Sequence, residues 1–458
     1  MDKKEKLPLK TKLGFGVCDL GGNLFFTLMG FWLINFFTDT LGLIPALAGI
    51  SVMVGRIWDA VTDPMVGYIS DNTYTRWGRR RPFIFVGAIF LFVFMMVMFY
   101  NPRIGNQTIL FWWATIVLCL LFTAYTLTSI PYSSLTPELT TDYDERTSLN
   151  SYRMSFAIVG TFIAAGLAFP IIDAFSRKVN IDGTIRIDRS GGFFAMAVIF
   201  GLIMAISAMI TVFSVKEKEA LRRKEKANIV KDFAGILKNK PYLFILFTYT
   251  FNIVALTILS GVLVYYFKYV FQNEALTTLA FIFLLVPTIL SIPLWAKLSN
   301  IMGKKWAYVL GMLIIIVTLM INFFLGKLFG VKFFFFMLSI TGVGLATGYV
   351  LPWAILPDAV DYGVLLTGTR NEGIYYGAWT FFSKTGQSFA SLIIGIALQL
   401  SGFIPNVIQK ENVIFTIRFL LGPLAVIFYL LAIGILYFYP IDKKRHDEIL
   451  SEIKARNL

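Results

Sequence analysis

Apolar runs of about 20 residues, each long enough as a helix to cross roughly 30 Å of hydrocarbon at 1.5 Å per residue, recur along the chain. Twelve can be placed, at about 14–37, 43–70, 83–100, 109–133, 154–174, 191–213, 242–266, 277–296, 307–326, 333–356, 374–400 and 414–439. The pattern predicts an all-α polytopic membrane protein with twelve transmembrane helices. The one long polar run, 215–240, divides it into two six-helix halves, 1–214 and 241–440, joined by a basic linker and followed by a tail, 441–458. The opening MDKKEKLPLKTK is basic, but the apolar run after it is too long for a signal-peptide core and lacks a small-residue cleavage site.

Composition agrees: 57% of residues are hydrophobic, 15% are charged and mean hydropathy is +0.72, whereas soluble domains carry about 25% charged residues. With twelve spans both termini share one side, whose tails and loops hold 28 Lys and Arg against 9 in the opposite loops. That bias places both termini in the cytoplasm, at the cell membrane. The loop SRKVNIDGTIRIDRS (176–190) runs against it, with four basic residues on the expected outer side. The net charge of +14 then reflects anchoring to anionic lipid and calls for no nucleic acid. The linker is expected to form an amphipathic surface helix.

Few enzymatic chemistries survive this reading. Cys18 and Cys119 both fall inside spans, which argues against a disulfide framework or thiolate metal site. His446, the only histidine, lies in the tail KKRHDE, where a solvated role is expected. No nucleophile or acid/base pair stands near an interface, so the chain is not expected to be an enzyme, and no resident cofactor is expected.

An internal repeat is visible. SDNTYTRWGRRRP (70–82) after the second span and SNIMGKKWA (299–307) after the eighth each join a glycine to a basic cluster. Pro131 and Glu138 after the fourth span answer to Pro352 and Asp358 after the tenth. Repeats of six spans joined by a long loop are the layout of transporters whose halves rock about a midplane site.

The stretch GRIWDAVTDP (55–64) carries the most pointed chemistry, because an ionisable residue at the centre of a membrane helix costs about 2.5–3.5 kcal/mol on insertion scales. Asp59 and Asp63 are four residues apart, so a helix puts both carboxylates on one face. Two such acids resolve their repulsion with a shared proton, a cation or a basic neighbour. Arg56 can neutralise one of them, which leaves one formal negative charge and a cluster suited to a small hard cation with oxygen ligands such as Thr62. In the competing reading Arg56 pairs with Asp59, and Asp63 ends the helix in water. Further ionisable groups recur in or beside the spans: Asp19 and Asn23 on one helical face, Arg153 at the start of the fifth span, and Lys384 amid apolar neighbours of the eleventh. Charge on both walls of a cavity suits a hydroxyl-rich or partly charged solute.

The strings RIWDAVTDP, RWGRRRPF, SIPYSSL and SKTGQSF resemble the glycoside/pentoside/hexuronide:cation symporter family of the major facilitator superfamily, over essentially the whole chain. The resemblance implies the major facilitator fold and symport of a sugar or glycoside with Na+ or H+ by alternating access, by a monomer. It matches Asp59 and Asp63 to the family's cation-site carboxylates, Na+ being the candidate metal, and Thr126 to a threonine of that site. Thr62 falls where a family asparagine ligand stands. Asp19 and Arg153 resemble sugar-binding residues, Lys384 resembles the lysine of the eleventh helix, and Asn23, Ser129, Tyr132 and Ser133 complete the candidate substrate set. Where a member of the family has a sugar-binding aspartate and a tryptophan, this chain has Ser129 and Ser133, and Cys18 replaces a lysine, so galactosides are not implied. Asp71, Arg79, Arg80, Arg81 and Glu138 are candidate gate residues, clamping one state through salt bridges to loops such as DYDER (142–146). The strings CDLGGN, IPYSSLT and NSYRM are similar also to the sodium-dependent lysophosphatidylcholine symporters, which implies a lysophospholipid or other amphipathic solute as the alternative.

Overall fold

The computed structural model describes residues 7–73, 75–139, 143–181, 184–215, 217, 236, 238–368 and 372–456. The expected linker helix therefore lies almost wholly outside the described residues. In chain order the helices are α1 (Leu9–Phe31), α2 (Pro45–Asn72), α3 (Arg81–Met98), α4 (Gln107–Leu139) and α5 (Tyr143–Ala174). A hairpin of β1 (Arg177–Ile181) and β2 (Thr184–Asp188) precedes α6 (Ser190–Ser214). Then come α7 (Lys240–Tyr265) and α8 (Leu276–Met302). Lys304–Thr367 is broken at Gly330, with φ 80° and ψ −173°, into α9 (304–329) and α10 (331–367). The last three are α11 (Glu372–Leu400), α12 (Glu411–Tyr437) and a terminal α13 (Lys443–Ala455).

Ten helices among the described residues, the 304–366 run counted as one, are long and apolar enough to cross a membrane. The reason is visible in α4, which is apolar all round. Ile109, Trp112, Ile116 and Leu120 form an exposed stripe, while Leu110, Ala114, Leu118 and Leu121 are buried behind it. A water-soluble helix would carry polar residues on the outer stripe. Several helices outrun their apolar segments. α4, α5 and α10 extend through 134–139, 143–153 and 357–367, because a helix satisfies its own backbone in water as well as in lipid while hydropathy marks only the immersed part.

The all-α expectation needs one correction. Loop 176–190 forms an antiparallel hairpin in which Arg177 faces Asp188 and Ile181 faces Thr184. Its sequence, VNI-DG-TIRI, places an Asp-Gly pair between β-favouring runs, a strong hairpin signal that a reading confined to hydropathy passes over.

The chain divides into two compact units, residues 1–223 with 395–407, and 224–394 with 408–458. The turn after α11 belongs to the first unit, where the Gln399 side chain accepts from the Ala46 N–H at 3.1 Å. Local structure repeats between the units. A π-helical turn follows the first helix of each, at Phe36–Thr40 and Tyr266–Val270. Each turn closes with matching backbone bonds, Leu43 to Phe37 and Asn273 to Phe267, both 2.9 Å. The glycines of the two basic loops, Gly78 and Gly303, both have positive φ, 107° and 86°, a conformation favouring glycine.

In the first unit α1 packs against α5 and α6, α2 against α4, and α3 against α4 and α6. The α1–α5 seam depends on small residues, since a β-carbon at Gly160 would run into the backbone carbonyl of Leu20, and one at Gly16 would press on Tyr152. Gly160→Leu is therefore expected to force α1 away from α5 and destabilise the protein by about 1–3 kcal/mol. Thermal unfolding in detergent will show a lowered midpoint; an unchanged midpoint would mean that the seam is not close-packed.

Candidate functional site

Helices α2 and α4 run side by side with a ladder of contacts that brings the acids of α2 to Thr126. Ser51 and Thr115 hydroxyls lie 2.9 Å apart; Gly55, lacking a side chain, admits Leu118; and Trp58 Nε1 donates to Thr123 Oγ1 at 2.9 Å. On the next turn Thr126 Oγ1 stands 2.8 Å from Asp59 Oδ1 and 3.2 Å from Asp63 Oδ1. Asp59 and Thr126 are fully buried at 1% and 0% exposure, and Asp63 is half-buried. A hydroxyl has one proton, so it donates to one carboxylate at a time, and three oxygens converge on one locus. Thr62 is on the same turn, its hydroxyl donating to the Asp59 carbonyl at 3.1 Å. Arg56 is buried one turn earlier, its guanidinium 6.0 Å from the Phe122 ring centroid.

Oxygen is the right ligand for a hard cation, but among the described residues no group of three or more His, Cys, Asp or Glu comes together to hold a metal.

A second cluster joins α1, α4 and α5. Asp19 Oδ2 accepts from Tyr132 OH and from Arg153 Nε, both at 2.6 Å. Arg153 Nη1 also donates to Thr136 Oγ1 at 3.2 Å, and its guanidinium lies over the rings of Tyr132 and Phe15, 4.9 and 5.7 Å from their centroids. The Asp19 and Arg153 side chains keep 14% and 18% of their surface exposed. Asn23 turns inward along its own helix, its amide donating to the Asp19 carbonyl at 3.0 Å. Ser133 is exposed, its proton given to the Ile130 carbonyl at 3.0 Å, and Ser129 is half-buried.

Two residues of these clusters escape a reading by sequence. Thr136 is one turn past Tyr132. Tyr125, stacked on Phe25 with centroids 4.4 Å apart, lies within electrostatic range of Asp59, Asp63 and Asp19 together. Its place beside Thr126 is the only signal the sequence gives.

In the second unit Lys384 is buried on α11 at 7% exposure. One turn earlier on that helix, Trp379 stacks on Tyr249 at 4.2 Å, and the half-exposed Trp353 packs against both.

The basic loop is gripped through its backbone. Arg79, Arg80 and Arg81 present their backbone N–H groups to the Glu217 carboxylate at 2.6, 2.9 and 2.8 Å, a nest made possible by Gly78. The Arg81 side chain caps α6 by donating to the Val212 carbonyl at 2.7 Å. Within DYDER, Glu145 holds Lys12 at 2.9 Å and the Leu7 N–H at 3.0 Å. The side chains of Asp71 and Glu138 lie outside the described residues. His446, expected in solvent, is half-buried against Asp361 and Asp358, because α13 folds back onto α10.

The model of a family described as MFS/sugar transport protein matches residues 14–443. The chain is 30% identical to a putative sulfoquinovose importer of Escherichia coli (strain K12), covering 98% of this chain and 95% of that one. It is 27% identical to sodium-dependent lysophosphatidylcholine symporter 1-A of Danio rerio, covering 97% and 88%. The crystal structure of nucleoside transporter NupG shares the fold, with a TM-score of 0.62 at 13% identity over 95% of this chain and 100% of that one.

Thr126→Val removes the hydroxyl donor that the two acids share and is expected to cost about 1.5–3 kcal/mol, the range for hydrogen bonds to charged groups. Thermal unfolding will show a lowered midpoint for Thr126→Val and a near-normal one for Thr126→Ser. Equal melting of Thr126→Val and the parent would mean that the hydroxyl does not hold the acids.

Proposed function

Because the chain belongs to the MFS/sugar transport protein family and is a multi-pass membrane transporter, we propose that it is a cation-coupled symporter of a sugar or glycoside, working by alternating access in the cell membrane. Na+ or H+ is the coupling ion, bound at Asp59, Asp63 and Thr126 with Thr62 beside them. Asp19, Tyr132 and Arg153 bind substrate from the first unit, and Lys384 does so from the second. The observation that carries this reading is the convergence of two intramembrane carboxylates on one hydroxyl.

Twelve spans in two six-helix halves are part of the proposal. The ten apolar helices become twelve when the 304–366 run is divided at Gly330 and when α2, 28 residues long and charged at Arg56, Asp59 and Asp63, is added. The repeated π-turns and positive-φ glycines support the pairing of halves. The charge bias of the loops supports cytoplasmic termini.

In this mechanism the cation relieves the repulsion between Asp59 and Asp63 and fixes α4 against α2. α4 also carries Tyr132 and Thr136, so a loaded cation site holds the Asp19–Arg153 cluster in its substrate-binding form. Coupling of this kind is reciprocal and typically amounts to about 1–3 kcal/mol, so substrate tightens cation binding by the same factor. A lysophospholipid or other amphipathic solute is the second reading, favoured by the similarity to the Danio rerio symporter.

Purified protein melted against glycosides, uronates and lysolipids, with Na+ or with choline at equal ionic strength, is expected to respond to one class and more strongly with the coupling ion. A ligand at a hundredfold its Kd adds about 2.7 kcal/mol. Asp63→Cys is expected to abolish uphill accumulation in vesicles while leaving exchange of the identified substrate. Normal accumulation by that variant would falsify the cation assignment.

A further inference from the structure

The chain's only histidine sits in an arrangement that the transport reading does not use. His446 stands on the first turn of α13, with Nε2 3.2 Å from Asp361 Oδ2 and 3.6 Å from Asp358 Oδ1. These acids are three residues apart on α10 and share a face. Asp358 is already held by Lys304, whose ammonium lies 2.6 and 2.9 Å from its two oxygens and also donates to the Ala354 carbonyl at 2.8 Å.

The remaining fastening of α13 is apolar and local. Ile449 and Ile453 are buried, and Asp442 caps the helix by accepting from the Arg445 N–H at 2.8 Å. Arg445 turns to Glu448 and Glu452 of its own helix, at 2.9 and 3.4 Å. Lys305 donates to the carbonyls of Tyr437 and Tyr439 rather than to the acids of α10. Among the described residues the other titratable groups at this face are Tyr362, Tyr437 and Tyr439, with the cap residue Asp442 and Lys443, Lys444 and Asp447 of α13. A cleft of about 860 Å³ between segment 299–306, the end of α12 and α13 includes His446 and Asp358 in its lining. Solvent and protons therefore reach the ring.

The charge count then depends on the imidazole. With a neutral ring, the α10 acids face one cation, Lys304, at close range. With a protonated ring they face two. Histidine is the side chain whose charge ordinarily changes between about pH 5 and 8. We propose that His446 is a pH-operated tether: its imidazolium fastens α13 to α10 through Asp361 and Asp358, and its neutral form leaves a hydrogen bond that lets α13 detach more readily. The tether tightens in acid and loosens in alkali, whatever solute the protein carries.

Because there is one histidine, its ring gives a single resonance in the full-length protein in nanodiscs, and its titration can be followed directly. Hydrogen exchange over 443–455, corrected for intrinsic rates, is expected to be about two- to fivefold faster at pH 8 than at pH 6, the factor partly exposed ion pairs supply. The midpoint of that change should follow the ring's. Asp361→Asn should move the ring's midpoint to lower pH, and His446→Gln should leave α13 exchanging at the faster level at both pH values. Exchange that is independent of pH in the parent, pH dependence surviving in His446→Gln, or a ring midpoint unmoved in Asp361→Asn would each overturn the tether. Asp361→Asn is near-isosteric, so this reading does not depend on how well the histidine variant folds.

Discussion

One hydroxyl stands between two carboxylates, and the register of two helices in the first unit brings the three together. Thr126 can satisfy Asp59 or Asp63 at any instant but not both. In the proposed mechanism the coupling cation is what relieves the repulsion between these acids one turn apart. For the three oxygens to converge, α2 and α4 must stay in one register over several turns. The Ser51–Thr115 and Trp58–Thr123 bonds, with Gly55 between them, keep that register. A slip of one residue along either helix would rotate the side chains by about 100° and disperse the cluster. The same α4 continues to Tyr132 and Thr136, whose hydroxyls engage Asp19 and Arg153. One rigid element therefore belongs to both clusters, the physical connection that the proposed coupling requires.

Much of the fold was legible because the physics of a lipid-exposed helix is written in consecutive residues. The apolar runs located the helices, and i,i+4 spacing placed Asp59 with Asp63. What spacing along one segment cannot give is the partner from another. Nothing in the sequence by itself indicates that Thr126 reaches both acids, or that Tyr125 lies within range of Asp19; for Thr126 the resemblance to a known family supplied the expectation. Polar helix extensions were missed at 134–139 and 357–367 because hydropathy measures immersion and not helicity. The hairpin was missed for a related reason: its signal has a period of two in a loop too short and polar to register as a span.

The basic loops show how an internal repeat keeps backbone geometry while its partners diverge. Gly78 and Gly303 both have positive φ and each leads into a new helix. After Gly78 the backbone itself binds the acid, three N–H groups gripping Glu217, so the contact tolerates changes in the arginine side chains but not in the glycine. After Gly303 the side chain does the binding, Lys304 to Asp358, and that acid is shared with a histidine from α13. The first device holds at any pH at which a carboxylate is ionised. The second is shared with an imidazole, the group on which the proposed tether turns.

Hydrogen-bond polarity within the second cluster bears on what the proposed carrier recognises. Asp19 takes both of its bonds on Oδ2, and carboxylate oxygens only accept. Ser133 has given its proton to the Ile130 carbonyl, so toward a solute it too presents lone pairs. Arg153 is a donor throughout. A solute matched to this wall supplies hydroxyl donors to Asp19 and Ser133 and an acceptor to Arg153, within one small rigid body. A polyhydroxylated ring meets those demands with neighbouring groups. A lysophosphatidylcholine satisfies the guanidinium through its phosphate but has a single free hydroxyl, on its glycerol, to offer Asp19 and Ser133 together. Hydrogen bonds to ionised groups are roughly twice as strong as neutral ones, so in the proposed sugar reading the Asp19 carboxylate is the group with most to gain from a solute of several neighbouring hydroxyls.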